Sequence, residues 1–353
     1  MAITIQEKHA SGALARETRN RVLARVERRL AEFLDAEHRT WADRNPDSTQ
    51  LVDCVARMVR SGGKRLRPAF CVTGYLAGGG DPEAPGIVDA AAALELLHTF
   101  ALLHDDVMDD SGLRRNEPTA HVVHSAEHEV RGWRGESPRY GESVAILAGD
   151  LALTYAERLL LDCAPRTRRV WGELCTELMM GQFLDILAAA RFEPDPELST
   201  WIALFKSGRY TVYRPLAMGA ALAGADHLLA PFEAYGLAVG EAFQLRDDLL
   251  DAFGSPETTG KPARHDAKQH KMTLLMSIAL REEPEIKELI GDDLGGTDTD
   301  RLHEALVRTG IRDRVEAVIA EKIDLARLAA EQTSPAWSEE LCRMAVEVAY
   351  RDA

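Results

Sequence analysis

Helical periodicity dominates the apolar positions of this chain. They recur at i, i+3 and i+4, and the alternation expected of strands is scarce. Ala, Leu, Glu and Arg are abundant, and all four favour helices. The pattern predicts helices over Arg16–Arg39, Gln50–Ser61, Pro68–Ala77, Pro85–Asp109, Ser143–Cys163, Arg166–Ala190, Ser199–Gly224, Leu229–Phe253, Met272–Arg281 and Asp313–Ala330. Breakers stand between them at Gly78–Gly80, Pro194–Pro196 and Gly291–Asp300. No linker rich in Ser, Gly or Pro divides the chain, and no fixed-period repeat runs through it. The expectation is an all-α fold in a single domain over residues 1–353, with a mobile segment over 1–15.

Composition adds limits on partners. A chain of 353 residues that is 46% hydrophobic can bury a sizeable core, and 28% charged residues is not a disordered composition. Its 42 Lys+Arg stand against 57 Asp+Glu, a net charge of -15. That balance argues against a nucleic-acid partner, whose phosphates would be repelled. A small anionic substrate would need a local basic cluster or bound cations. The five cysteines, Cys54, Cys71, Cys163, Cys175 and Cys342, are scattered and form no Cys-x-x-Cys pair. They read as buried reduced thiols of a cytoplasmic protein rather than a zinc cage or disulfide framework. Met1–Leu30 is charged and lacks the apolar core of a secretory signal. No uninterrupted apolar run approaches the length of a membrane span.

Two acidic clusters carry the candidate chemistry. His104-Asp105-Asp106-Val107-Met108-Asp109 closes a strongly apolar helix, with Gly112 close behind. At about 100° per residue, Asp105, Asp106 and Asp109 share one face, where they repel each other and oppose the helix dipole. Carboxylates so placed suit a hard cation such as Mg²⁺. Taken alone, a solvated acidic helix end explains them equally well. Gln244-Leu245-Arg246-Asp247-Asp248-Leu249-Leu250-Asp251 repeats the pattern, again after an apolar helix and before Gly254 and Pro256. Two such ends of equal spacing make the surface explanation improbable. Facing acidic rims could hold several Mg²⁺ around a shared polyanion and stabilise charge on a departing diphosphate.

Basic residues supply the other half. Gly62-Gly63-Lys64-Arg65-Leu66-Arg67-Pro68 sets three cations beside two glycines. Arg grips phosphate bidentately and Lys adds a point charge. On its own a solvated turn would explain this segment better. Arg114-Arg115 follows the first aspartates, where neutralising the nearby acids is the simple reading. Lys206, Lys261 and Lys271 singly read as surface lysines.

Together these motifs resemble the trans-polyprenyl (isoprenyl) diphosphate synthases, over about Ser61 to Leu275. Further pieces agree in order: His98, Gly181-Gln182-Phe183-Leu184-Asp185, Lys206-Ser207, Phe243-Gln244, Gly260-Lys261 and Lys271-Met272-Thr273. The resemblance implies a single large helical bundle of the isoprenoid synthase type around a central apolar cleft, commonly as a homodimer. It implies that Asp105, Asp106 and Asp109, with Asp247, Asp248 and Asp251, bind three Mg²⁺. Arg114, Lys206, Gln244, Lys261 and Lys271 would contact an allylic diphosphate, beside Ser207. Lys64, Arg65, His98 and Arg115 would hold isopentenyl diphosphate. Gln182 and Asp185 would line the metal and carbocation region. The implied reaction ionises the allylic diphosphate, adds the double bond of isopentenyl diphosphate to the cation, and releases a proton to the departed diphosphate.

Several positions depart from that family's pattern. Asn116 stands where Gly often follows the paired arginines, and Gln269-His270 replaces an acidic residue and Gly. Leu275 occupies a position that is often Pro, and Ser207 replaces Thr. These touch the rim and the loop after the second cluster.

Product length follows from helix geometry. One helix turn rises about 5.4 Å, close to one isoprene unit, so residues a turn below the aspartates act as a ruler. Phe100 is bulky and Ala101, at i-4 from Asp105, is small. With two residues between Asp106 and Asp109, this combination resembles a bacterial geranylgeranyl synthase, with a farnesyl or longer product as the alternative. A class I terpene cyclase would carry Asn, Ser or Thr and Glu in its second motif. A non-catalytic synthase subunit would be expected to have lost aspartates.

Overall fold

The computed structural model describes residues 5–192, 195–254, 271–289 and 299–350. Helices account for nearly all of them, as the periodicity predicts, and the chain's contacts gather into two compact units. The first unit comprises Arg19–Val72 and Asp81–Ala164, the second Met1–Thr18, Thr73–Gly80 and Pro165–Ala353.

The first unit holds the larger part of α1 (Ile5–Arg44), α2 (Thr49–Arg60), the start of α3 (Leu66–Ala77), α4 (Pro85–Met108), α5 (Ala120–Val130) and α6 (Ser137–Leu159). Pro85 opens α4 at a position where its missing N–H costs nothing. Ala90–Leu97 are buried without a break. Ala145, Ala148 and Ala152 present an equally small, fully buried face on α6. Each buried Leu of α4 contributes about 2 kcal/mol of transfer free energy. By length and hydropathy α4 is long and apolar enough to cross a membrane, but Asp89, Glu95 and His98 interrupt its apolar run and 72% of the matching stretch is buried inside the protein. Gly149 lets the end of α4 lie against α6, because a Cβ there would stand 2.2 Å from His104 Cδ2.

A short hairpin separates α4 from α5. β1 (Leu113–Arg114) pairs antiparallel with β2 (Glu117–Pro118), with Arg114 opposite Glu117. Arg115 and Asn116 turn at φ 53 and 63. A two-residue turn with both central φ values positive matches the twist of the strands, and Asn tolerates it as Gly does. That accounts physically for Asn116 standing where Gly is common. Periodicity missed α5 because its buried positions are His124 and His128 rather than aliphatic residues.

The second unit runs through α7 (Pro165–Arg191), α8 (Pro196–Ile202), a π-helix (Ala203–Tyr213), α9 (Arg214–Ala223), α10 (Leu229–Phe253), α11 (Leu274–Glu282), α12 (Thr299–Arg308), α13 (Ile311–Ala330) and α14 (Pro335–Ala349). The single helix expected over Ser199–Gly224 begins earlier, where Asp195 caps it by accepting from Leu198 N–H at 3.0 Å, and ends at Gly224 with φ 74. Its middle is π-helical. Four glycines allow the backbones around it to touch. A Cβ on Gly181 would lie 2.7 Å from Lys206 N, one on Gly240 2.1 Å from Gly208 Cα, and one on Gly236 2.5 Å from Tyr213 Cβ. α10 is fixed at its far end by Arg246, which donates to Ala349 O at 2.7 Å and to both oxygens of Glu316 at 2.9 and 2.7 Å.

Candidate active site

In the first unit the three aspartates at the end of α4 divide by helix geometry. Asp105 and Asp109 stand one turn apart and about 40° around the axis, whereas Asp106 lies about 100° from Asp105. Asp106 therefore turns inward, with a side chain 1% exposed against 23% for Asp105. Arg114 reaches in from β1. Its Nε and Nη2 approach Asp106 Oδ1 at 2.8 and 2.7 Å, and Nη2 lies 3.4 Å from Asp105 Oδ2. Burial raises the pKa of Asp106 against the opposing pull of Arg114. Asp106 Oδ2 is buried without a hydrogen-bond partner.

The glycine-rich loop gathers cations beside α4. Gly63 at φ 137 passes so close to Arg115 that a Cβ would stand 2.9 Å from Nη2. Arg115 donates to Ser61 Oγ at 2.9 Å and to Gly62 O. Arg65 takes a left-handed φ of 48, a conformation that costs a non-glycine residue about 1 kcal/mol or more. Three partners hold it there: Glu27 at 2.6 and 3.3 Å, Glu95 at 2.6 Å and Val59 O at 2.8 Å. Its guanidinium is thus committed to acids and carbonyl within the unit. Lys64 is exposed, and Arg67 is half-buried. His98 keeps some solvent contact, yet desolvation, then Arg67, Arg114, Arg115 and Arg65, hold its pKa well below the usual 6.5. It is neutral at physiological pH. Sequence reasoning gave Arg67 no role, because a spacing of two cannot say which arginine of Arg65-Leu66-Arg67 turns inward to its own acids.

Phe100 is buried, with its ring centroid 4.6 Å from that of His104, and Ala101 is half-buried. His104 Nε2 lies 3.0 Å from Ile146 O, so α6 fixes the ring that packs on Phe100.

In the second unit, close backbone approach does the assembly. Gly181 lets the π-helix lie on α7, and Lys206 Nζ meets Asp185 Oδ2 at 2.5 Å. The contact of Gly208 with Gly240 brings Ser207 Oγ within 2.5 Å of Gln244 Oε1. Gln244 Nε2 then donates to Asp248 Oδ1 at 2.8 Å, and Leu275 N–H donates to Asp248 Oδ2 at 3.3 Å. A proline at 275 could not make that last bond. Asp248 is 3% exposed, while Asp247 and Asp251 remain half-exposed. Lys271 and Thr273, with Asp185, Lys206, Ser207 and Gln244, line a cavity of about 110 Å³. Gln182 is half-exposed on α7. Lys261, Gln269 and His270 lie outside the described residues.

The two clusters share a design. Each keeps its i and i+4 carboxylates half-exposed and buries the i+1 carboxylate on partners of its own unit. Among the described residues no three His, Cys, Asp or Glu side chains form a ready-made metal cage. Mg²⁺ does not require one, since it takes one or two carboxylates and completes its shell with water and phosphate oxygens. All-oxygen donors one turn apart, and an unpaired buried oxygen on Asp106, fit that usage.

The family model for polyprenyl synthetase matches residues 48–308. A short chain isoprenyl diphosphate synthase of Methanothermobacter thermautotrophicus is 31% identical over 312 residues, 85% of this chain and 89% of its own. Geranylfarnesyl diphosphate synthase of Aeropyrum pernix is 32% identical over 291 residues, 79% and 86% of the two chains. A crystal structure of geranylgeranyl pyrophosphate synthase from Corynebacterium glutamicum, complexed with isoprenyl diphosphate and magnesium, is similar with a TM-score of 0.87. It is 34% identical and covers 95% of this chain and 99% of its own.

Proposed function

The chain belongs to the polyprenyl synthetase family of prenyl-transferring enzymes, and on that premise we propose that it condenses isopentenyl diphosphate with allylic diphosphates to make geranylgeranyl diphosphate. The observation that carries the proposal is the repeated carboxylate geometry, with a half-exposed i, i+4 pair and a buried i+1 residue in each cluster. Asp105 and Asp109, and Asp247 and Asp251, are the residues that would hold three Mg²⁺. Asp106 would add its unpaired Oδ2 while orienting Arg114 through Oδ1, and Asp248 would orient Gln244. When bound, the metal stabilises charge on the departing diphosphate.

The chain's own side chains do the rest. Arg114, held by Asp106, Lys206, held by Asp185, and Lys271 offer positive charge to the allylic diphosphate, with Lys261 assigned there by resemblance alone. Lys64, Arg67 and Arg115 bind isopentenyl diphosphate, and Arg65 braces their loop against Glu27 and Glu95. His98 faces that reactant as a neutral hydrogen-bonding group, so it takes no proton in the reaction. Deprotonation falls to the released diphosphate.

Phe100 and Ala101 set the depth available to the growing chain. An exposed apolar face on α7, formed by Met179, Met180, Phe183 and Ile186, supports a homodimer. The test is incubation of purified protein with isopentenyl diphosphate and each allylic primer, with Mg²⁺ or EDTA, reading products by mass spectrometry. A Mg²⁺-dependent geranylgeranyl product is expected. A farnesyl or longer product would keep the class and overturn the ruler, and a cyclic hydrocarbon would overturn the class. Asp105→Ala and Asp248→Ala should each abolish turnover with the helical circular dichroism unchanged. Near-normal activity in either would overturn the cluster assignment.

A further inference from the structure

The π-helix Ala203–Tyr213 is long for its kind, since π-helical turns usually occur singly inside α-helices. Relative to an α-helix it carries its side chains in a shifted register. A return to α spacing would rotate residues beyond the change by about 100° per residue of slip. Lys206 and Ser207 lie inside it, so their aim depends on holding that register.

One face of α7 supplies the hold. Glu173, Glu177, Gly181 and Asp185 recur every four residues and lie along one stripe. Asp185 takes Lys206 Nζ, and Gly181 admits the Lys206 backbone. A turn earlier, Glu177 Oε1 accepts from Arg209 Nη1 at 2.6 Å and from Arg214 Nη2 at 2.5 Å, while its Oε2 accepts from Arg214 Nε at 2.8 Å. Glu173 Oε2 accepts from Arg214 Nη1 at 2.5 Å, and Arg209 Nη2 donates to Glu233 at 2.7 Å. Arg209 and Arg214 also lie over the ring of Tyr213, 5.5 and 5.0 Å from its centroid. Burial works to raise the Glu177 pKa, but the two arginines outweigh it and hold it below the usual range.

The upstream and downstream holds differ in one respect. Lys206 must turn from Asp185 toward a substrate anion if it binds one, which loosens the upstream hold during catalysis. The downstream pairs have no such duty. We propose that Glu177 is a positioning residue: through Arg209 and Arg214 it locks the π register so that Lys206 and Ser207 stay aimed at the allylic diphosphate while the Lys206–Asp185 pair is open. The inference rests on the prenyl-transfer reading and on the role given there to Lys206.

Glu177→Gln tests it, because the amide keeps the shape and removes the charge. Two measurements are made on the full-length protein. Hydrogen exchange should accelerate over 203–213 while α10 and α4 keep their protection. Steady-state kinetics should show the KM for the allylic diphosphate rising about tenfold, the size of one lost charge-assisted hydrogen bond, with the KM for isopentenyl diphosphate unchanged. Glu177→Asp should recover part of the allylic KM. Unchanged exchange over 203–213, or equal shifts in both KM values, would overturn the proposal. If Glu177→Gln fails to fold, Glu173→Gln removes one arginine contact from the more exposed acid, and the same pattern at smaller amplitude is expected. Should the wild-type protein transfer no prenyl group, the prenyl-transfer reading fails, and the exchange measurement still reports on the clamp by itself.

Discussion

His98 and Leu275 show how single residues acquire roles from their neighbours. A histidine whose folded pKa is depressed stays neutral while the unfolded chain takes up the proton. Its contribution to stability is present above 6.5 and is lost as pH falls from there toward the folded pKa. His98→Gln cannot ionise, so its thermal midpoint should fall less steeply than wild type between about pH 7 and pH 5. Parallel pH profiles would show that His98 is not held neutral. At neutral pH the variant should retain prenyl transfer, since a neutral hydrogen-bonding group is kept. Leu275 sits in the first turn of α11, where proline is tolerated by the helix. Leu275→Pro should therefore leave α11 in place while removing the N–H that reaches Asp248 and part of a buried leucine side chain. A loss of about 3 kcal/mol or more in urea unfolding is expected, from the hydrogen bond and the lost packing together. An unchanged midpoint would show that bond to be idle.

Among the elements, α4 would carry both the proposed metal face and the proposed ruler, because one helix presents Asp105 at its end and Ala101 a turn below. Ala101→Phe should shorten the product by about one isoprene unit, the rise of one turn. Mass spectrometry of products with each primer decides it, and an unchanged length would place the floor on another element. The elements best read from sequence were those with aliphatic stripes, α4 and α10 above all. α5 escaped because histidines fill its buried positions, and α14 because its buried stripe includes Glu340, which Arg343 neutralises at 2.6 Å. The π-helix was invisible for a different reason. Its composition reads as ordinary helix, and its register depends on arginine pairs to α7.

For the whole molecule, a net charge of -15 makes binding of two diphosphates depend on where the cations sit rather than on how many there are. Those proposed to bind the diphosphates include members of the glycine-rich loop, the hairpin and the π-helix. An exposed apolar face such as that of α7 favours pairing of two chains. Phe183, at 59% exposure, sits centrally in it. Phe183→Asp should shift the protein from dimer to monomer in analytical ultracentrifugation while leaving the melting transition cooperative. A wild-type monomer, or a variant that remains dimeric, would remove this face from assembly.

Of Asp105, Asp106 and Asp109, expected on one face, Asp106 turns inward; the sequence by itself determined the helical class and the positions of both carboxylate clusters. Each follows from periodicity and local spacing, which act over a few residues. Only the tertiary structure decided which members of each set stay half-exposed and which are buried. Asp106 and Asp248 turn inward onto Arg114 and Gln244, and Arg65 is held by Glu27 and Glu95. Lys206 and Ser207 find their partners because glycines at 181, 208 and 240 let separate helices touch. Apart from the i, i+4 pair of Gln244 with Asp248, these are contacts between residues 8 to 38 positions apart in the chain. No local pattern specifies such a contact, because its energy comes from desolvation and pairing that exist only once the helices have packed.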